Sequence, residues 1–329
     1  MEEDRFDIDT RDMYTILEKF PNQIATAMKL GENIKITEVI DKIVITGMGG
    51  SALAGDILQT YLKDEKIPIF VNKDYFLPDF INSRTLVFVI SYSGNTEETI
   101  TAYRNALRKG CKIVVITSGG KLEMLARKQG IDFVLVQKGL PPRLALGYLF
   151  FPIVVILQNS KLIADRTHEI LRLIEILKKP IFKDKGKDLA KKLDGKIPLI
   201  YTSERLKIIG YKWKINFNEN TKIHSFCNVF PELDHNEING FVNLKANYYV
   251  IIFKDEHDYM KLRKQIEITK NLIKKKNVSV TEIALTGSSL LTKIFSSIYI
   301  GDWCSYFLAL KYKVDPTPVK IIEELKKQL

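Results

Sequence analysis

The stretch KIVITGMGGSALAGDILQTYL, residues 42–62, decides the fold. Its first five residues are largely β-branched and apolar and read as a buried strand, and from Ser51 onward the apolar residues recur at helical spacing. A strand, a glycine turn and a helix in direct succession open a βαβ unit of a parallel sheet.

The same rhythm continues outward. IPIFV (67–71) and TLVFVIS (85–91) read as strands, a helix spans 97–109 and ends at Gly110, KIVVITS (112–118) is a further strand, and a helix over 121–129 precedes IDFVLV (131–136). A lysine-rich stretch over 178–192, with Pro180 and Gly186 inside it, is the best boundary candidate. Beyond it come IPLIY (197–201), a helix from about Arg205, NYYVIIF (247–253), a helix over 258–276, VTEIALTG (280–287), a long apolar helix through Trp303 and a last helix from DPTPV. Two parallel-sheet α/β domains are expected, 1–180 and 181–329. Their shared rhythm suggests an ancient duplication, although no strong internal repeat is visible.

Composition bounds the function. With 329 residues, 46% apolar and 27% charged, the chain suits two soluble domains that each bury a core. The net charge of +11, from 50 Lys and Arg against 39 Asp and Glu, favours anionic partners, whether nucleic acid or small phosphorylated metabolites. Basic residues are spread out, and dense runs such as Lys274, Lys275 and Lys276 read as polar helix faces without aromatic interleaving, so no nucleic acid is expected. Cys111, Cys227 and Cys304 form no CxxC pair and are odd in number, which points to a reducing compartment. The opening MEEDRFDIDT lacks an apolar signal core, and the apolar run 148–157 is too short to cross a bilayer. A cytoplasmic protein without membrane partners is expected. His168, His224, His235 and His257 are scattered without HxH or HxxxH spacing, so neither a metal nor another cofactor is expected.

Two loops carry chemistry. In TGMGGSALAGD (46–56), glycines let N–H groups turn inward at a helix N-terminus, where an anion fits, and Ser51 adds a hydroxyl. Gly47, Gly49 and Ala52 also satisfy a relaxed GxGxxA dinucleotide fingerprint, but that motif needs an acidic residue closing the second strand, and Val71 is followed by Asn72 and Lys73. A plain tight turn is the third reading. SYSGNTEET (91–99) places the hydroxyls of Ser91, Ser93 and Thr96 around a glycine, a neutral donor cup suited to a phosphate monoester. Its alternative reading is a capping box with surplus serines, in which Asn95 or Thr96 caps the next helix. Both loops lie at C-terminal ends of adjacent parallel strands, where such sheets bind ligands, so together they point to one sugar phosphate.

GMGGSALAGD, SYSGNTEET, PPR, NEN, PELDHNE and DPTPVKIIEELK follow one another along nearly the whole chain. In that order they resemble the sugar isomerase (SIS) domain proteins and, more narrowly, the archaeal bifunctional phosphoglucose/phosphomannose isomerases. Ala52 departs from the pattern, which has glycine there. The resemblance implies two SIS-type parallel-sheet α/β sandwiches in flavodoxin-like order. It also implies a metal-independent, cofactor-free homodimer that interconverts glucose 6-phosphate and mannose 6-phosphate with fructose 6-phosphate by ring opening and proton transfer through a cis-enediolate. Carried over residue by residue, Gly49, Gly50, Ser51, Ser91, Ser93 and Thr96 hold the phosphate, Glu219 is the base, and His235 opens the ring from the other subunit. Lys326 assists ring opening, with Lys327 as its neighbouring alternative, and Arg143 binds substrate at the enediolate oxygens. Thr317 is the candidate for the small polar residue that admits both C2 epimers.

The residues themselves suit these roles. Glu219 lies between amides of Asn218 and Asn220 that can orient a base. His235 has the side chain that titrates nearest neutrality, and Asp234 and Glu237 beside it favour its protonated form. Pro141 and Pro142 stiffen the loop that carries Arg143. Taken alone, Glu219 and His235 also read as ordinary surface residues. Three rival readings share the fold or the chemistry. A non-catalytic sugar-phosphate-sensing regulator would carry a helix-turn-helix, but the first 40 residues hold only a short amphipathic segment. An amidotransfer-coupled isomerase needs an N-terminal cysteine, and a metal-dependent isomerase needs a ligand cluster.

Overall fold

The structure, a computed structural model, describes residues 5–328. Helices α1 (Arg5–Ile8), α2 (Met13–Glu18) and α3 (Phe20–Leu30) come first. The first run of alternation is β1 (Lys42–Thr46), α4 (Gly50–Tyr61), β2 (Ile69–Asn72), β3 (Thr85–Ser91), α5 (Glu97–Arg108), β4 (Lys112–Thr117), α6 (Gly120–Gln129) and β5 (Asp132–Leu135). Three helices follow, α7 (Leu146–Asn159), α8 (Thr167–Leu177) and α9 (Ile181–Lys192). The second run is β6 (Ile197–Ser203), α10 (Lys207–Asn216), β7 (Phe226–Phe230), β8 (Tyr248–Lys254), α11 (Met260–Lys275), β9 (Ser279–Ala284), α12 (Leu290–Lys311) and α13 (Lys320–Gln328).

The chain forms two compact units. One is Lys19–Glu175, and the other joins the segment up to Glu18 to the segment from Ile176 onward. In the first, five parallel strands lie in the order β2-β1-β3-β4-β5, the flavodoxin-like arrangement. The central strand β3 is buried along its whole length, as a parallel strand covered on both faces must be. In the second unit the order is β7-β6-β8-β9, again all parallel. The expected pair of parallel α/β sandwiches is present. Among the described residues no helix is long and apolar enough to cross a membrane; the apolar run 148–157 lies inside the buried helix α7.

Three features depart from what the sequence leads one to expect, each with a physical cause. The lysine-rich stretch begins just after the break between the units at Glu175 and Ile176, but most of it is helix α9, and Gly186 marks close packing, because a Cβ there would lie 2.6 Å from Trp303 Cβ and 2.9 Å from the Cys304 N on α12. The segment up to Glu18 belongs with the later unit because α2 docks on α12. Asp9 accepts hydrogen bonds from the Met13 and Tyr14 amides at 2.8 and 3.0 Å, and from Tyr306 Oη at 3.1 Å. The Tyr14 ring meets Trp303 edge-on at 5.3 Å. The third is strand β7, FCNVF, which the sequence does not mark. It is a half-exposed edge strand with an asparagine at its centre, and so lacks the apolar run by which the others were found.

Candidate active site

Strand order reverses between β1 and β3, and in such sheets ligands bind in the crevice beyond the C-terminal ends of the two strands. Two loops enter it. The first leads into α4, whose N-cap, Gly49, offers no side-chain cap. Ser51 is buried, and its Oγ accepts the Tyr92 N–H at 3.2 Å, tying the first loop to the second. In the second loop Ser91 donates to Thr96 Oγ1 at 3.0 Å and accepts from the Gly94 N–H at 3.1 Å. Ser93 is exposed and accepts the Asn95 N–H at 3.3 Å, leaving its own proton for another partner.

The capping expectation fails here in an informative way. Thr96 stands at the N-cap of α5 but makes no capping bond, since its oxygen takes the Ser91 proton, and Asn95 Oδ1 accepts instead from the Lys121 amide of α6 at 3.0 Å. No side chain caps the N-terminus of α4 or α5, so both present amides and a positive dipole end to an anion. Glycine at 94 is required: at φ +70° a Cβ would lie 1.7 Å from Gly119 O. Gly50 serves a different approach. A Cβ there would lie 2.9 Å from both Arg143 N and Pro142 C, so its absence lets the turn Pro142–Leu144 sit against α4 with Arg143 only 3% exposed. Gly49, Gly50, Ser51, Ser91, Ser93, Thr96 and Arg143 are thereby brought together within this unit.

In the other unit, α10 continues into a π-helical turn, Phe217–Thr221, that carries Glu219 half-buried and ends at Lys222 with φ +60°. Such turns recur at functional sites. Asn218 donates to Ile223 O at 2.8 Å, Asn220 to Ser305 Oγ at 2.9 Å, and Thr221 to Ser305 O at 2.9 Å. Lys222 donates to Glu219 O and, at 3.2 Å, to Pro316 O. The turn is thus pinned both to α12 and to the segment before α13, which holds the buried Thr317. Beneath it Lys212, 0% exposed, donates to Asn216 Oδ1 at 2.6 Å and to Asp302 Oδ1 at 3.0 Å, a buried charge both neutralised and hydrogen-bonded.

His235 ends the turn Glu232–His235 and is exposed. Its two acidic neighbours each accept hydrogen bonds from other elements of the fold. Asp234 accepts from Thr269 at 2.8 Å, and Glu237 from Tyr201 at 2.6 Å and Asn228 at 2.5 Å. Burial and the Glu237 carboxylate push the Tyr201 phenol up, so it remains a donor. Lys326 is exposed on α13.

Residues 182–329 match the family described as bacterial phospho-glucose isomerase C-terminal SIS domain, and residues 38–133 match the SIS domain. A bifunctional phosphoglucose/phosphomannose isomerase from Caldicellulosiruptor bescii is 41% identical over 334 residues, covering 96% of this chain and 98% of that protein. Its namesake from Aquifex aeolicus is 34% identical over 97% of this chain and 98% of its own length. The chain belongs to the bifunctional phosphoglucose/phosphomannose isomerase family. The crystal structure of a hypothetical protein from Thermus thermophilus shares the fold, with a TM-score of 0.75 at 16% identity over 95% of this chain and 89% of that one.

For a member of this family, Ala52 is a harmless departure: it is buried in the first turn of α4, where its methyl is accommodated. Sequence reading missed Tyr92, Lys222 and Ser305. Tyr92 stood inside a motif read only for its hydroxyls, and Lys222 directly follows NENT. Ser305 lies in a mostly apolar helix three residues after Asp302, a spacing that puts the two polar side chains on one face.

Proposed function

We propose that this family member interconverts glucose 6-phosphate and mannose 6-phosphate with fructose 6-phosphate. The observation that carries the reading is the convergence of the Gly49–Ser51 loop, the Ser91–Thr96 loop and the Arg143 turn beyond β1 and β3. Uncapped helix amides and neutral hydroxyls there suit a phosphate monoester. In this reading Ser51, Ser91, Ser93 and Thr96 grip the phosphate, and His235, with Lys326, transfers the proton that opens the ring. Glu219 removes the C2 proton and returns it at C1, and Arg143 balances the charge on the enediolate oxygens. The acid/base set is complete without a metal. A homodimer in which His235 serves the neighbouring subunit is part of the proposal, as is Thr317 leaving room for the C2–C3 rotation that two epimers require. The pinning of the Pro316 segment to the Glu219 turn by Lys222 supports that last role.

The test is turnover of both sugar phosphates, coupled to fructose 6-phosphate detection, with exchange of deuterium from C2 followed in parallel. Glu219→Gln keeps the shape of the side chain but accepts no proton, so turnover should fall roughly 10²-fold or more, and exchange should fall with it. Undiminished exchange in that variant sinks the assignment of the base, and absence of turnover with either sugar in the unmodified protein sinks the function.

A further inference from the structure

We propose that Tyr92 is the positioning residue for Arg143, coupling the phosphate loops to the cation of the reaction; the inference rests on the assignment of Arg143 to the enediolate oxygens. Tyr92 is 6% exposed and every polar atom of it is engaged. Its amide donates to Ser51 Oγ at 3.2 Å, and its carbonyl accepts from Ser118 Oγ at 2.6 Å and from the Ser118 amide at 3.0 Å. Its phenol donates to Gln137 O at 2.7 Å and accepts the Leu140 N–H at 2.9 Å. One residue therefore joins the glycine loop, the serine loop and the segment that runs directly into Pro141, Pro142 and Arg143.

The order of these bonds along the chain shows what depends on the phenol. Leu140 precedes two prolines that offer no amide hydrogen, so the Leu140 N–H is the last backbone donor before Arg143. On the far side, Gln23 Nε2 donates to Leu144 O at 2.9 Å, and its Oε1 accepts the Gly147 N–H at 2.7 Å. Arg143 thus lies in a stiff bridge held by the Tyr92 phenol before it and by Gln23 after it. A single oxygen atom, the Tyr92 Oη, supplies both hydrogen bonds of the phenol. Because Ser51 and Ser91 are held by backbone and hydroxyl contacts that do not use this oxygen, removing it loosens the approach to Arg143 and leaves the phosphate grip intact.

The test is a double-mutant cycle on the full-length protein with Tyr92→Phe, Arg143→Ala and the pair, together with hydrogen exchange at the Leu140 amide. Tyr92→Phe should lower kcat about tenfold, as expected when a charge-bearing group is misplaced, while inhibition by inorganic phosphate keeps its strength. On the Arg143→Ala background the same change should cost nothing further, a result that a merely structural tyrosine would not give. Protection of the Leu140 amide should drop in Tyr92→Phe and hold in Arg143→Ala, a measurement that needs no catalysis. An equal loss of kcat in both backgrounds, or an unchanged Leu140 amide, overturns the proposal. If Arg143→Ala alone leaves kcat intact, the arginine assignment has failed and the proposal goes with it, and that arm identifies the cause.

Discussion

Beyond β1 and β3 the crevice is lined by glycines and neutral hydroxyls, whereas at the equivalent reversal of strand order in the second sheet, beyond β6 and β8, charges close upon one another. Arg205, just after β6, donates to Asp255 Oδ2 and lies 3.5 Å from Asp258 Oδ1. Lys293, in the first turn of α12, donates to Asp255 Oδ1 at 2.8 Å and sits 2.7 Å from His257 Nδ1. The same strand order supplies a crevice in each unit, and loop composition decides its fate. Glycine and hydroxyl groups keep donors available to an incoming anion, while paired arginine, lysine and aspartate spend theirs on each other.

The sharpest way to break this comparison is Asp255→Asn, which leaves Arg205 and Lys293 without their shared carboxylate. Removing one partner of a buried ion pair costs about 3–5 kcal/mol, so the denaturation midpoint should fall steeply while kcat of the folded enzyme stays level. A parallel loss of kcat would mean that the second crevice also takes part in the reaction. Burial works to raise the Asp255 pKa, but hydrogen bonds from Lys293, the His257 amide and Arg205 prevail and hold it well below the usual carboxylate range. A depressed folded pKa gives stability that is complete above the unfolded value of about 4 and is lost as pH falls toward the folded value. The melting temperature of Asp255→Asn should accordingly lose part of the acid-side slope seen in the parent between roughly pH 4 and 2.

A smaller effect is expected in the first crevice from Gly50→Ala. The added methyl meets the backbone of Pro142 and Arg143, and overpacking of this kind costs about 1–3 kcal/mol. It should appear in kcat/KM more than in the unfolding midpoint, because the turn that must yield carries Arg143. Ser93→Ala is the mildest: loss of one neutral hydrogen bond, about 1 kcal/mol, should weaken substrate affinity and leave kcat alone. If Ser93→Ala lowers kcat instead, the hydroxyls do more than hold the phosphate.

Much of this contrast was legible in the sequence. Strand β3, TLVFVIS, is apolar throughout because both its faces are covered, and its observed limits coincide with the reading. The first crevice was found because glycines and clustered hydroxyls are local signals. The second was invisible, since Arg205, Asp255 and Lys293 are separated by 50 and 38 residues and only the fold brings them together. Capping misled for a related reason: whether Thr96 caps α5 depends on Ser91 competing for its oxygen, a contact between side chains that propensity does not encode. Likewise the partners of the acidic residues beside His235 are far off in sequence: Asp234 accepts from Thr269 on α11 and Glu237 from Tyr201 on β6.

The docking of α2 on α12 has a consequence for the order in which the molecule is made. Asp9 and Tyr306, which share a hydrogen bond, are 297 residues apart, and at about 5–20 residues per second of synthesis their meeting is delayed by roughly 15–60 seconds. Lys19–Glu175 is complete well before then. The emerging chain therefore carries a finished middle while its leading segment waits for the last long helix.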